Sequence, residues 1–204
     1  TESGSMDAVH ADKSYKEAGT IRIYNEKGKT EYDGALDYIK GRGNSSWEMA
    51  KKPYNIKIAK KTNLFGMGKS KKWSLIANYS DNSHLRNAAV YYAAQQIGLD
   101  YTPKFVFCDV YTNGDYQGVY LLITRIEADS KRVDVANLDD VNEEIAIAAS
   151  GNEDLDMDSL PQGGAYGRFA GLIEGTKKWV EIPEAPEGYT VDNTGGYILE
   201  MELA

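Results

Sequence analysis

The sequence predicts an α+β fold in which a mostly antiparallel sheet carries one main helix. Three observations predict it: short strand-like segments separated by turn residues, one stretch of apolar residues at helical spacing, and an Asn-Gly turn between two apolar strands. Apolar residues make up 42% and charged residues 26% of the 204 residues, which suits a globular domain with a real core.

Four strands are predicted before the helix. The third of them alternates, so Tyr54, Ile56 and Ile58 should share one face while Lys57 points to the other. Turn residues follow the first strand at 25–28. The predicted strands are residues 20–24, 35–40, 54–58 and 73–77.

One helix is predicted over residues 83–97, because apolar side chains recur there at helical spacing. Asp81, Asn82 or Ser83 is placed to cap its start, and Gly98 is placed to end it in a left-handed conformation. The helix contains no Asp or Glu. The apolar residues at this spacing are Leu85, Ala89, Tyr92, Ala93 and Ile97.

A hairpin is predicted after the helix, with strands at 106–112 and 116–126. Asn113-Gly114 between them favours a type I′ turn, because both central residues of that turn need a positive φ. The segment 118–123 is apolar on both faces, which indicates a strand inside its sheet rather than at an edge.

The character of the chain changes at Asp129, where it becomes acidic and rich in Gly and Pro. We therefore expect one lobe over residues 1–128 and the start of a second lobe over 129–204, continuing beyond Ala204. A helix at 138–149 and a strand at 196–202 are predicted. The alternating acids from Asn152 to Asp158 lack the Gly and the final acid of an EF-hand, so a solvated acidic loop is expected there.

Positive charge is concentrated in residues 40–73, which hold ten Lys or Arg and one acid, a net +9. The rest of the chain is then −17, since the whole is −8. Either this segment forms a basic face for an anion, or its lysines guard strand edges. The acidic remainder would repel a long polyanion, so a nucleotide is favoured and nucleic acid is not. No apolar run is long enough to span a membrane.

The segment 39–47 places Arg42 between two glycines. This pattern allows a tight turn whose N–H groups and guanidinium converge on a phosphate, although a hairpin turn with a surface arginine remains the alternative. Lys52 and Lys57 have two possible roles. Either they are solvated, or one of them contacts nucleotide phosphates, as the strand lysine of a protein kinase does. Lone Cys108 lies in an apolar run, which is typical of a small buried side chain.

Six sequence blocks occur in the order seen in the CotH (spore coat protein H) kinase family, and nearly the whole chain resembles that family. They are KGRGNSSW, KKPYNIKI, NLFGMGKSKKW, LIANYSDNSHLRN, DVYTNGDYQGVYLL and GGYILEMEL. The resemblance implies an atypical protein-kinase-like small lobe that binds ATP with magnesium. It also implies phosphorylation of Ser or Thr in protein substrates, outside the cell or at the cell or spore surface. The order of strands and helix is analogous to a kinase small lobe.

The resemblance also implies which residues contact the nucleotide. On the phosphate side these are Arg42, Asn44, Lys52, Lys57 and Arg86, and on the strand leading to the hinge they are Tyr120, Leu122 and Glu127. The catalytic and metal-binding acids are expected beyond Ala204, so none is assigned and the chain alone is expected to be inactive. Two alternatives stay open: a nucleotide-binding pseudokinase, and an extracellular module that binds carbohydrate or protein through its fifteen tyrosines and three tryptophans.

Overall fold

The computed structural model describes residues 1–127, 132–134, 170–172 and 179–181. The chain divides into two compact units, Thr1–Glu127 and Ala128–Ala204. In the second unit the described strands β7 (Ala170–Leu172) and β8 (Trp179–Glu181) pair antiparallel. The predicted helix at 138–149, the acidic loop and the strand at 196–202 lie outside the described residues.

The elements of the first unit are α1 (Asp7–Ala11), β1 (Glu17–Tyr24), β2 (Thr30–Gly41), β3 (Tyr54–Asn63), β4 (Lys69–Ile76), α2 (Arg86–Gln96), β5 (Phe105–Thr112) and β6 (Asp115–Thr124). The six strands are antiparallel and form one sheet, in the order β1-β2-β3-β4-β6-β5. The first four make a meander, and β6 returns beside β4 after α2 and β5. The architecture is mostly antiparallel sheet with few helices, which is compatible with the predicted α+β class.

The main core lies on one face of this sheet. Tyr54, Ile56 and Ile58 are all buried on it, which confirms the face predicted from their alternation. Trp73 of β4 is fully buried beside them. Residues from α1, from the β2–β3 connection and from β6 complete the core: Val9, Trp47, Tyr120 and Leu122.

Helix α2 packs on the opposite face. Its Ala88 is buried against Leu121 and Ile123, which alternate with the core residues of β6. The Tyr91 ring lies 6.1 Å from the ring of Phe105. A small side chain at position 88 lets the helix approach the sheet closely.

The apolar spacing correctly indicated a helix but did not identify its buried side. Leu85, Tyr92 and Ile97 are all more than half exposed. The helix is apolar around much of its circumference, so the pattern by itself did not distinguish the two sides. In the part of the chain that the structure describes, no helix is long and apolar enough to span a membrane.

The backbone at two predicted chain reversals, the end of α2 and the β5–β6 turn, has the conformation that the sequence indicated. Gly98 follows α2 with φ +71°, and Asn113 and Gly114 have φ +52° and +95°. These values confirm the left-handed helix end and the type I′ hairpin. Strand β6 lies between β4 and β5, so it is internal as its apolar pattern predicted.

Candidate functional site

The connection between β2 and β3 presents Arg42 at the end of the sheet. The Arg42 N–H donates to the carbonyl of Pro53 at 3.2 Å, so the pairing of β2 and β3 continues past Gly41. A Cβ on Gly41 would lie 2.6 Å from Cη2 of Trp47, on the core side. Because strand side chains alternate, Arg42 extends toward the face that carries α2. Gly43 follows with φ +82°, so the glycines on both sides of Arg42 are structural requirements.

A short 3-10 turn (Ser45–Glu48) fixes this connection to the core through Trp47, which is buried. The Lys52 ammonium donates to the Trp47 carbonyl and lies 5.2 Å from the centre of its ring. Lys13 donates to the carbonyl of Gly43 at 3.0 Å. These two lysines therefore support the backbone around Arg42.

The segment between β4 and α2 is organised by the carboxylate of Asp81. Its Oδ1 accepts hydrogen bonds from the N–H (3.0 Å) and Oγ (2.7 Å) of Ser83. Its Oδ2 accepts from the N–H of Arg86, the first residue of α2, at 2.8 Å. The Arg86 Nε also lies 3.8 Å from Oδ1. Asp81, one of three residues that the sequence proposed as a cap, therefore accepts from the first N–H of α2 and holds Arg86 there, although the N-cap position itself is Leu85, whose side chain makes no capping bond.

Two asparagines, Asn78 and Asn87, complete the segment between β4 and α2. Asn78 is buried with φ +50°, and its side-chain amide donates to the carbonyl of His84 at 3.1 Å. Its Oδ1 accepts from the Asn87 amide at 2.7 Å. The strained backbone of Asn78 is thus held by bonds on both sides of its side chain.

Asp81 should make the stability of the first unit depend on acid pH. Hydrogen bonds from the Ser83 hydroxyl and the Arg86 N–H lower the pKa of this carboxyl from its usual value. A lowered folded-state pKa contributes stability above the usual pKa of an aspartate, and this contribution is lost as the pH falls through the lowered value. We expect Asp81→Asn to unfold at lower urea concentration at pH 7 and to lose less stability than the wild type on acidification. Urea midpoints from pH 7 to pH 3 measure this; identical acid dependence in both proteins would contradict it.

The β2–β3 connection and the β4–α2 segment form the two walls of a pocket of about 190 Å³; below they are the Arg42 wall and the Asn87 wall. Arg42 lines it from one side and Asp81, Arg86 and Asn87 from the other, with Tyr79 also in the lining. Pockets that hold a whole drug-sized ligand are usually about 300–1,000 Å³. This one is smaller, so it has room for only part of a ligand of that size.

Arg42 is an unneutralised cation at this pocket. Within the described residues, its guanidinium makes no hydrogen bond and no ion pair. Burial lowers the pKa of Arg42; Arg125 adds to this effect, and Tyr91 opposes it. A bound anion would offset the desolvation of the guanidinium, so the pocket favours a compact anion.

The structure places the other sequence-derived candidates in different surroundings. Asn44 is exposed near Lys13, with 3.5 Å between Nζ and Oδ1. The remaining ones are either paired or buried away from the lining of the pocket. Lys57 pairs with Asp37 (3.5 Å), Glu127 pairs with Lys72 (3.2 Å), Lys52 is engaged by Trp47, and Tyr120 and Leu122 lie in the core.

Sequence reasoning therefore placed Arg42 and Arg86 among the candidates but missed Asn78, Tyr79 and Asn87. The sequence does contain an indication of these three residues, because polar side chains are concentrated around Asp81. The hydrogen bond between two asparagines nine residues apart, however, depends on the left-handed backbone at Asn78, which its sequence neighbours do not indicate.

Two further observations limit the chemistry of the described residues. Among them, no group of three or more His, Cys, Asp or Glu side chains is placed to hold a metal ion. Cys108 is partly buried, and burial raises the pKa of its thiol to about 11. The thiol is therefore protonated at neutral pH, in agreement with a structural role.

The comparisons with known proteins bear on the same region. A protein-family model described as CotH kinase protein matches residues 39–166, more than half of the chain. The match begins just before Arg42 and includes both walls of the pocket. A search of curated proteins gave no significant match.

Proposed function

This chain belongs to the CotH kinase protein family, and from that membership we propose that its first unit binds ATP with magnesium as an atypical protein-kinase-like small lobe. The observation that carries the proposal is the partly buried Arg42, which lines a small pocket and has no ion-pair partner among the described residues. A planar guanidinium recognises phosphate groups, like carboxylates, in a bidentate geometry, because two parallel N–H donors meet two oxygens.

In this proposal each wall contributes a different contact to the phosphates. Arg42 is held by its neighbouring glycines and acts as the fixed cation. Arg86 has a side chain that is 82% exposed, and its ion pair with Asp81 is long at 3.8 Å, so folding over a bound phosphate would break only this exposed contact. Asn87, oriented by Asn78, offers a neutral polar contact.

Magnesium enters this proposal with the nucleotide. Among the described residues that line the pocket, Asp81 is the one acid, and its carboxylate already accepts three hydrogen bonds. The described residues therefore do not form a magnesium site by themselves. Mg–ATP is taken as the bound species, and no step is assigned to a metal ligand of this chain.

Tyr79 supports a nucleotide over a simple phosphate. Its side chain is 51% exposed and belongs to the pocket lining. Exposed aromatic rings stack on nucleobases, with a contribution of about 1–3 kcal/mol per base. A ring beside an anion pocket suits a ligand with a flat base as well as phosphates.

The order of elements supports the kinase-like part of the proposal. Strand β4 leads into α2, and the following hairpin returns β6 beside β4, an arrangement analogous to a kinase small lobe. We infer that the protein transfers phosphate to Ser or Thr hydroxyls of partner proteins. Because its family is associated with the spore coat, we place it at the cell or spore surface.

Calorimetry tests the binding function directly. We expect Mg–ATP to bind the chain at one site, with inorganic phosphate much weaker because it lacks the base and two phosphates. Cell-wall polysaccharide is the contrasting ligand. Polysaccharide binding without ATP binding would replace the proposal with a carbohydrate-binding module. If Mg–ATP binds but the complete kinase domain, tested beyond the 204 residues of this chain, transfers no labelled phosphate to serine- and threonine-containing proteins, the protein is a pseudokinase.

A further inference from the structure

Strand β5 forms one edge of the six-stranded sheet, since it pairs with β6 alone. The N–H of Thr124 donates to the carbonyl of Lys104 at 3.0 Å, which fixes the hydrogen-bonding phase of this antiparallel pair. Residues then alternate between bonding to β6 and pointing away from it. The backbone groups that point away belong to Phe105, Phe107, Asp109 and Tyr111.

Among the described residues, these outward backbone groups have no bonding partner. The opposite edge of the sheet is different, because the N–H of Glu2 donates to the carbonyl of Ala18 in β1 and Arg22 of β1 pairs with Asp33. Strand β5 contains no Lys, Arg or Pro, the residues that commonly protect an edge. An open edge of this kind is a template for an added strand.

The side chains along the open edge form a defined pattern. Phe107 and Tyr111 are 43% and 66% exposed, and Asp109 lies between them on the same face. The Tyr116 hydroxyl donates to Asp109 Oδ1 at 2.6 Å and holds the carboxylate in place. The edge therefore offers apolar, acidic and aromatic positions in turn.

We propose that the β5 edge binds an extended segment of a partner protein as a seventh strand. The segment would carry Lys or Arg opposite Asp109, with apolar residues two positions to either side to contact Phe107 and Tyr111. Opposite charges and apolar–aromatic pairs directly across two strands each stabilise the pairing. This binding surface is additional to the nucleotide pocket and does not depend on it.

Charge distinguishes this partner from a second copy of the chain. Antiparallel pairing of β5 with itself in the registers that pair most of the strand, centred on residues 108 to 110, would place the two Asp109 carboxylates opposite or diagonal to each other, within about 8 Å. β5 has no basic residue to compensate. A basic segment of another protein removes that repulsion.

The edge also lies within reach of the pocket. Ile76 lines the pocket and pairs with Leu121 of β6, which in turn pairs with Phe107. With strands about 4.8 Å apart, a seventh strand lies about 14 Å from Ile76. If the proposed kinase function holds, a protein bound there would have its neighbouring residues close to the phosphates.

Peptide binding to the full 204-residue chain tests the inference. The probes are two fluorescein-labelled nine-residue peptides of alternating Val and Thr, one with a central Arg and one with a central Glu. Phe107→Pro removes an outward N–H that makes no bond in the fold, and Phe107→Thr is its matched control with the N–H kept. Fluorescence anisotropy measures affinity, and amide exchange of Phe107, Asp109 and Tyr111 locates the peptide.

We expect the Arg peptide to bind and to protect those three amides, and Phe107→Pro to bind it several-fold more weakly than Phe107→Thr. Asp109→Lys should reverse the preference between the two peptides by about tenfold, since it turns one favourable cross-strand pair into a repulsive one. This second variant keeps the test valid if Phe107→Pro does not fold. Equal affinity of both Phe107 variants, no change of preference in Asp109→Lys, or dimerisation through β5 without peptide binding would overturn the inference.

Discussion

Arg42→Ala is expected to weaken the binding of Mg–ATP by on the order of a hundredfold. The guanidinium would make two charge-assisted hydrogen bonds to phosphate, each contributing about 1.5–3 kcal/mol, and the lower end of their sum, about 3 kcal/mol, corresponds to slightly more than a factor of a hundred. The fold should survive this change, because the side chain makes no hydrogen bond or ion pair within the described residues. Isothermal titration calorimetry measures the affinity.

Arg22→Ala is the matched control for Arg42→Ala. It removes the same charge from the same sheet, but Arg22 is exposed on β1 and pairs with Asp33. Its affinity for Mg–ATP should stay within about twofold of the wild type, because exposed charges contribute little over a distance in salt. Equal losses in the two variants would show that net charge, and not the position of Arg42, governs binding. The affinity of Arg42→Lys for Mg–ATP should lie between those of the wild type and Arg42→Ala, since an ammonium keeps the charge but does not donate in the bidentate geometry.

Gly41→Ala is expected to lower the free energy of unfolding by about 1–3 kcal/mol, the usual cost of overpacking a core. Its Cβ would lie 2.6–2.7 Å from the buried Trp47 ring and 2.8 Å from Cγ of Lys13. The lysine stem can move, but the tryptophan is a rigid part of the core. Because Arg42 is the next residue, the same variant should also bind Mg–ATP more weakly.

Gly34→Ala in the same strand is the control. Its Cβ would meet the Tyr32 hydroxyl at 3.1 Å, a contact at the end of a side chain. We expect a smaller loss of stability than in Gly41→Ala and unchanged affinity for Mg–ATP. Urea unfolding and calorimetry on both variants measure the two effects. If Gly41→Ala unfolds at the wild-type urea concentration, the packing of Trp47 against this glycine is incorrect.

The sequence predicted what depends on neighbours along the chain. The alternation of Tyr54, Ile56 and Ile58, the Asn113-Gly114 turn and the Asp81 cap each combine a local pattern with a local conformation. The buried side of α2 was not predictable in this way, because it depends on which helix residue is small enough to approach Leu121 and Ile123.

The pocket shows the same limit. The Gly-Arg-Gly pattern indicated an anion-binding turn, and the family blocks brought Arg86 into the same set of candidates. That Arg42 and Asn87 line one pocket follows from the sheet register and from the asparagine pair, neither of which has a local sequence signature. For Lys57 the local pattern correctly predicted both the strand and the face on which it lies. Its ion pair with Asp37 was not predicted, because it depends on the neighbouring strand.

The return of β6 beside β4 has a consequence for how the site forms. The meander of β1 to β4 consists of local hairpins, whereas Ile76 pairs with Leu121 across a long loop that contains α2 and β5. Such non-local pairings are slow steps in folding, because loop closure must precede the contacts that reward it. Leu121 and Ile123 are also what hold α2 to the sheet. We therefore expect the Arg42 wall to form with the early, local part of the structure and the Asn87 wall to take its position only when the late hairpin docks.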